Sequence, residues 1–212
     1  MRQKKRRRRS QTVGRAAAWT ALAIGAAVML FPFVWMVSTA CKPTEELLEY
    51  GLNLFPKRWA CVENLNELFA TTPLFGRYML NTAIVTVVRT VGQFFLTTLA
   101  AYGFARYEFP FKRTLFIAAL AILMVPGQAI VIPQFAIIRQ LGLFGTVAGI
   151  ALPNIASAFS LFLFRQAFLQ IPVEYEEAAA IDGAGPLRIL YMITVPMAKA
   201  AVAAFIIISF IA

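Results

Sequence analysis

Residues 114–164 read TLFIAALAILMVPGQAIVIPQFAIIRQLGLFGTVAGIALPNIASAFSLFLF, a run of fifty-one residues with a single charged side chain, Arg139. A membrane-crossing helix needs about 20 apolar residues, so the run is too long for one span and suits two. The segment Gln140–Thr146, with Gly142 and Gly145, supplies the glycines that a connecting turn requires. The run therefore reads as a span over 114–138, a short outer turn over 139–146 and a span over 147–164. Two apolar spans joined by so short a turn indicate an all-α, polytopic bundle of membrane helices.

The flanking sequence repeats the pattern. Residues 16–40 carry no charge, and 78–105 are interrupted only by Arg89. Residues 198–212 begin a further apolar helix that stops before a full span is reached, so the given sequence reads as ending inside its fifth helix. Composition agrees: 60% of the 212 residues are hydrophobic and 14% charged, with a mean hydropathy of +0.71. Soluble domains run at roughly 45–50% and about 25%. Such a chain has too little polar surface to cover itself in water, which argues against a soluble enzyme, a nucleic-acid-binding domain or a disulfide-rich secreted module. With no His in the chain, a Cys/His metal site is excluded.

Seven of the twenty basic residues lie in the first nine positions, MRQKKRRRR, where Arg2, Lys4, Lys5 and Arg6–Arg9 stand ahead of the first apolar stretch. Next to a span, residues 1–15 read as a topological anchor, and no nucleic-acid partner is expected. A secretory signal has an apolar region of only about 7–15 residues; Ser38-Thr39-Ala40 imitates a cleavage site, and cleavage stands as the alternative. The cytoplasmic side is the one richer in Lys and Arg. With the N-terminus inside, segments 1–15, 106–113 and 165–197 with the adjoining Lys199 hold fourteen basic residues, against five in 41–77 and 139–146. The expected orientation is N-terminus cytoplasmic. Cys41 and Cys61 both fall in the outer loop 41–77, where a disulfide is permitted but free thiols are equally compatible.

The segment Ile171 to Pro196, IPVEYEEAAAIDGAGPLRILYMITVP, is cytoplasmic in this orientation. Pro172 suits the first position of a helix, and Glu174, Glu176 and Glu177 lie near the positive end of its dipole. Gly183 can take the left-handed conformation that ends a helix. The spacing predicts a surface helix of about eleven residues, a glycine break and a second short helix from Pro186 toward Pro196. Ala178 and Ala179 are small enough to let another backbone approach, and Glu177 stands beside them. A helix lying on the membrane usually carries Lys or Arg on its polar face; this one carries four acids and no base between Arg165 and Arg188, so it reads as a knob that docks to a protein.

The same residues resemble a cytoplasmic signature of the permease subunits of bacterial ABC importers: E-A-A, three residues, G, nine residues, I-x-L-P. Glu177-Ala178-Ala179, Gly183, Ile193 and Pro196 match at that spacing, with Val195 where Leu is usual, and Asp182 completes the E-A-A-x-I-D-G form of the carbohydrate-uptake branch. The chain is similar there to the maltose-permease-like subunit with a short outer loop. Further matching residues are Pro32, Trp35, Ser38 and Lys42, then Arg77, Tyr78 and Asn81, Ala101–Arg106, Pro126-Gly127-Gln128 with Ile132-Pro133, and Gly142-Leu143. The resemblance implies one of six-span permeases, about five spans being present here, in the bacterial inner membrane. It also implies a second permease, two ATPase subunits docked on the signature helix, and an extracytoplasmic solute-binding protein. The implied activity is import of a sugar or sugar-like solute by alternating access. Glu177, Ala178, Ala179, Asp182, Gly183, Ile193 and Pro196 are the residues it marks for ATPase coupling.

No catalytic or metal-binding residue is expected. The chain has no G-x-x-x-x-G-K-[ST] loop to cradle phosphates, so ATP is expected on a partner and no cofactor on this subunit. Coupling to an ion gradient commonly needs titratable groups within the spans, and every Asp and Glu lies outside them. For the translocation path the candidates are Arg89, Gln128, Asn154, Ser157 and Ser160. A charge at mid-membrane costs about 2.5–3.5 kcal/mol on insertion scales. Arg89 therefore either faces an aqueous path or is satisfied by Gln93, one turn on, or by the sister permease. The amide and hydroxyls could meet sugar hydroxyls or simply bond between helices. Pro126 and Pro133 are expected to bend the third span.

Overall fold

A computed structural model describes residues 2–47 and 53–211, and among these the regular structure is helical with no strand. The chain divides into two compact units, Met1–Gly76 and Arg77–Ala212.

In the first unit, α1 (Arg2–Ala40) runs as one helix through both the basic stretch and the apolar stretch. Its portion Ala18–Ala40 is long and apolar enough to cross a membrane, with mean hydropathy 2.1. Pro32 lies inside α1 without ending it, as membrane helices tolerate. Beyond it, α2 (Thr44–Leu47) and α3 (Cys61–Thr71) belong to a loop tied back on itself. Cys41 and Cys61 are joined by a disulfide, which decides the pairing that the sequence left open. The Ala60 amide donates to the Cys41 carbonyl at 2.9 Å, and Asn64 Nδ2 donates to the Ala40 and Lys42 carbonyls at 2.9 and 2.7 Å. Ser38 and Lys42, both buried, donate to the carbonyls of Leu54 and Asn53. The Lys42 ammonium also lies 5.0 Å from the centre of the Trp35 ring. The residues closing the first span are thus the ones that hold the loop's backbone.

The second unit is built on α4 (Phe75–Arg106), also long and apolar enough to span, with mean hydropathy 1.5. The 114–138 stretch, expected as one span, is two helices: α5 (Lys112–Ala121), with a 3-10 turn over Ile122–Met124, and α6 (Gly127–Gln140), inclined by 102°. Pro126 makes the break, because a residue before proline is pushed out of the helical region and Val125 is extended at φ −82°, ψ 121°. Pro133, by contrast, lies inside α6 without interrupting it. After a turn in which Gly142 and Gly145 take φ of 71° and 77°, α7 (Val147–Ala151) starts with Thr146 Oγ1 accepting from the Gly149 amide at 3.1 Å. A second break, of 51°, separates α7 and its 3-10 turn from α8 (Ala158–Leu169). The sequence had not indicated it.

The chain continues through α9 (Glu174–Ile181), α10 (Pro186–Ile189), a π turn over Leu190–Thr194, α11 (Val195–Met197) and α12 (Lys199–Ile211). The pair on either side of Ala198 is bent by 86°. If each bent pair crosses once, up to five spans are present among the described residues. The core lies where α4, α8, the π turn and α12 meet, around Phe164, Phe168, Leu190 and Phe205, each no more than 1% exposed. Phe164 is 5.9 Å from Phe94 and 5.3 Å from Phe205, ring centre to ring centre. In lipid, such close packing and interhelical hydrogen bonds hold helices together, since the surrounding tails are as apolar as the side chains.

Candidate functional site

The knob begins later and is shorter than its sequence suggests. Ile171 is buried in the core, and the chain turns at Val173, whose carbonyl accepts from the Glu176 and Glu177 amides at 2.9 and 3.0 Å. The helix therefore starts at Glu174, two residues after Pro172, and spans eight residues. It is closed by Gly183 at φ 82°. The Gly183 amide donates to Ala180 O at 3.0 Å and the Ala184 amide to Ala179 O at 2.9 Å, the paired bonds of a Schellman motif. Pro186 opens the second helix, as its sequence indicates.

An α-helix turns by about 100° per residue, and α9 uses that turn to send adjacent acids in opposite directions. Glu177 is exposed, together with Ala178, Ala180, Ile181, Asp182 and Gly183. Ala179 is half-buried against the core. Of the remaining signature residues, Ile193 is half-buried in the π turn and Pro196 is exposed on α11. The outward side of α9 is thus a small-residue surface with carboxylates at both ends and Ile181, 87% exposed, between them.

Glu176 points inward, and its carboxylate gathers three elements. Tyr102 Oη donates to Oε2 at 3.0 Å; Arg106 Nε and Thr194 Oγ1 donate to Oε1 at 3.0 and 2.9 Å. Arg106 Nη2 is 2.9 Å from Oε1 and also donates to the Ile171 carbonyl at 2.9 Å. The two side chains of the ion pair are 11% and 10% exposed. In the sequence, Glu176 stands out only as one acid of a helix end, and Tyr102 and Arg106 only as part of a matching stretch. An isolated base at the end of a span and an acid one residue from a marked one were the available signals.

The path candidates do not converge on one cavity. Gln128 is exposed in the first turn of α6, and Asn154 bonds back to the Ile150 carbonyl at 3.2 Å. Asn154 and Gln134 line a cavity of about 390 Å³ between α6 and α7. Ser157 lines a different one of about 190 Å³, beside Thr97 and Leu161. Ser157 also caps α8, accepting from the Ser160 amide at 3.2 Å. Ser160 is buried, 3.1 Å from Ser157 Oγ, and accepts from Gln93 Nε2 at 3.2 Å, while Ser209 donates to Gln93 Oε1 at 3.2 Å. Of the alternatives for Arg89, pairing with Gln93 is not formed; the Gln93 amide bonds Ser160 and Ser209 instead. Arg89 is half-buried, its Nε without a partner among the described residues.

Residues 93–212 match the family described as the binding-protein-dependent transport system inner membrane component. The chain belongs to this family. It is similar to the sn-glycerol-3-phosphate transport system permease protein UgpE of Rhizobium meliloti (strain 1021), at 34% identity over 196 residues that cover 90% of this chain and 69% of the relative. The corresponding protein of Agrobacterium fabrum (strain C58 / ATCC 33970) is 29% identical over 212 residues, covering 95% and 73%. Among solved structures, a bacterial ABC transporter involved in the import of the acidic polysaccharide alginate superposes with a TM-score of 0.78 at 26% identity, covering 96% of this chain and 71% of that one. The protein is thus a multi-pass permease component of the bacterial inner membrane, a transport subunit rather than an enzyme, and a member of the ABC importer class.

Proposed function

We propose that this permease carries a sugar or sugar-like solute by alternating access, and that the outward side of α9 is the seat of a separate ATPase. The relatives named for sn-glycerol-3-phosphate and for alginate support a polyol or saccharide solute. In this reading the N-terminus and residues 165–197 face the cytoplasm, two ATPase subunits hold the ATP, and this subunit carries no cofactor. A second permease completes the path, and a solute-binding protein delivers the solute on the other side.

The observation that carries the docking role is the exposed set Glu177, Ala178, Ala180, Ile181, Asp182 and Gly183 on a helix that ends in a left-handed turn. A partner can bias the spans only through a contact that differs in strength between two conformations, and Glu177 and Asp182 offer anionic contacts to a basic cleft. Proline cannot adopt the positive φ of Gly183. Gly183→Pro and Glu177→Gln are therefore expected to abolish solute-stimulated ATP hydrolysis and uptake in reconstituted importer while leaving the subunit in the membrane. Normal uptake and normal stimulation in Gly183→Pro contradict the role. Sidedness is checked with Arg188→Cys, exposed in the same segment but outside the docking surface: in intact cells a membrane-impermeant maleimide should label it only after permeabilisation, and labelling from outside overturns the orientation.

A further inference from the structure

The docking helix is joined to the rest of its unit by two turns and by the side chains on its inner face. One turn is Ile171–Val173; the other contains Gly183 in the left-handed region and Gly185. Turns of this kind absorb displacement. Of the acids in α9 and its cap, Glu174, Glu177 and Asp182 are exposed, and Glu176 alone is buried. Its partners do not belong to α9: Tyr102 and Arg106 are one turn apart at the end of α4, and Thr194 closes the π turn. Arg106 reaches on to the Ile171 carbonyl, so the same guanidinium holds the chain as it enters the knob.

Resting on the reading of α9 as the docking helix, we infer that Glu176 is a positioning residue whose buried carboxylate locks α9 to the end of α4 and to the π turn. Movement imposed on the exposed side of α9 is carried into α4 and toward α12 through this carboxylate instead of being lost in the flanking turns. The physical basis is geometric. The two carboxylate oxygens accept from three side chains, and the charge-assisted contact to Arg106 resists rotation as well as separation because Nε donates to Oε1 while Nη2 holds the Ile171 carbonyl. A buried carboxylate with all its partners engaged cannot slide to a new register without leaving a charge unpaired. Pi turns inside helices occur frequently at functional positions, and here Thr194 both bonds Glu176 and approaches the Ile189 carbonyl at 3.4 Å.

The test uses the complete importer, purified and reconstituted in liposomes with its binding protein, and reads solute taken up per ATP hydrolysed alongside the ATPase retained per permease. Glu176→Gln keeps the shape and removes the charge. It is expected to retain the ATPase at the wild-type ratio while uptake per ATP falls about tenfold, within the range of about 5–150-fold typical of coupling between sites. Tyr102→Phe and Thr194→Val each remove one hydroxyl and are expected to lower uptake per ATP about threefold, at the low end of the roughly 2- to 12-fold that one hydrogen bond carries. If Glu176→Gln does not accumulate in the membrane, those two variants decide the matter. Uptake per ATP indistinguishable from wild type in the recovered variants overturns the inference, as does loss of the ATPase in step with uptake. A wild-type complex that purifies without any ATPase overturns the docking reading itself.

Discussion

Two buried polar clusters sit on α4 nine residues apart, about 14 Å along the helix, and they solve the same problem with different chemistry. Around Gln93 the groups are neutral: one amide spans Ser160 of α8 and Ser209 of α12, and Ser157 backs Ser160. Around Glu176 they are charged, an ion pair with Arg106 supported by two hydroxyls. Gln93 lies inside the apolar stretch of α4, whereas Arg106 is its last residue. Burial of apolar surface alone gives no drive when the solvent is itself apolar, so the neutral cluster, with the packing of Phe94, Phe164 and Phe205, sets which faces of α4, α8 and α12 meet. Desolvating a charge is costly enough that an ion pair contributes little net stability; its retention at the base of α9 is better explained by the rigidity it imposes there.

Removing one partner of the ion pair should have the largest effect. Arg106→Leu leaves the Glu176 carboxylate buried without its counter-charge and is expected to cost about 3–5 kcal/mol, measured by denaturant titration of the membrane protein in mixed micelles. Replacing both partners, Arg106→Met with Glu176→Met, should recover most of that stability while uptake per ATP stays low. Recovery of both quantities together would break the distinction between rigidity and stability. In the neutral cluster, Gln93→Leu should cost about 1 kcal/mol, within the range measured for hydrogen bonds between membrane helices. Ser209→Ala, which loses a single contact, should cost about 0.6 kcal/mol by the same titration. A neutral cluster more sensitive than the ion pair would invert the comparison.

The breaks in the bundle show where the sequence was legible. Gly142 and Gly145 marked a turn, and their positive φ values follow from the absence of a Cβ. Pro126 and Pro133 looked alike as letters, yet only Pro126 stands at a helix break; α6 carries on past Pro133, as membrane helices tolerate. The break before α8 follows Pro153, in the 3-10 turn that ends α7; Ser157, read as a possible solute contact, is itself the extended residue that caps α8. In the knob, Pro172 pointed to a helix start two residues early; Ile171 is buried, and the first helical bonds run to the Val173 carbonyl. Cys41 and Cys61 were placed in one loop but could not be paired until α3 brought Cys61 back to the end of α1.

What the linear chain determined by itself was the solvent and the helical content: uncharged runs of span length leave the backbone no hydrogen-bonding partner in lipid except itself. It also determined the acidic, alanine-rich knob and its glycine end, because those depend on local backbone conformation. Which of two neighbouring glutamates faces outward is a matter of about 100° of helix rotation, and that rotation is set by α4, 70 and 74 residues upstream, and by the π turn, 18 residues downstream. Only the tertiary structure could decide that Glu177 is presented to a partner while Glu176 is held against Tyr102, Arg106 and Thr194.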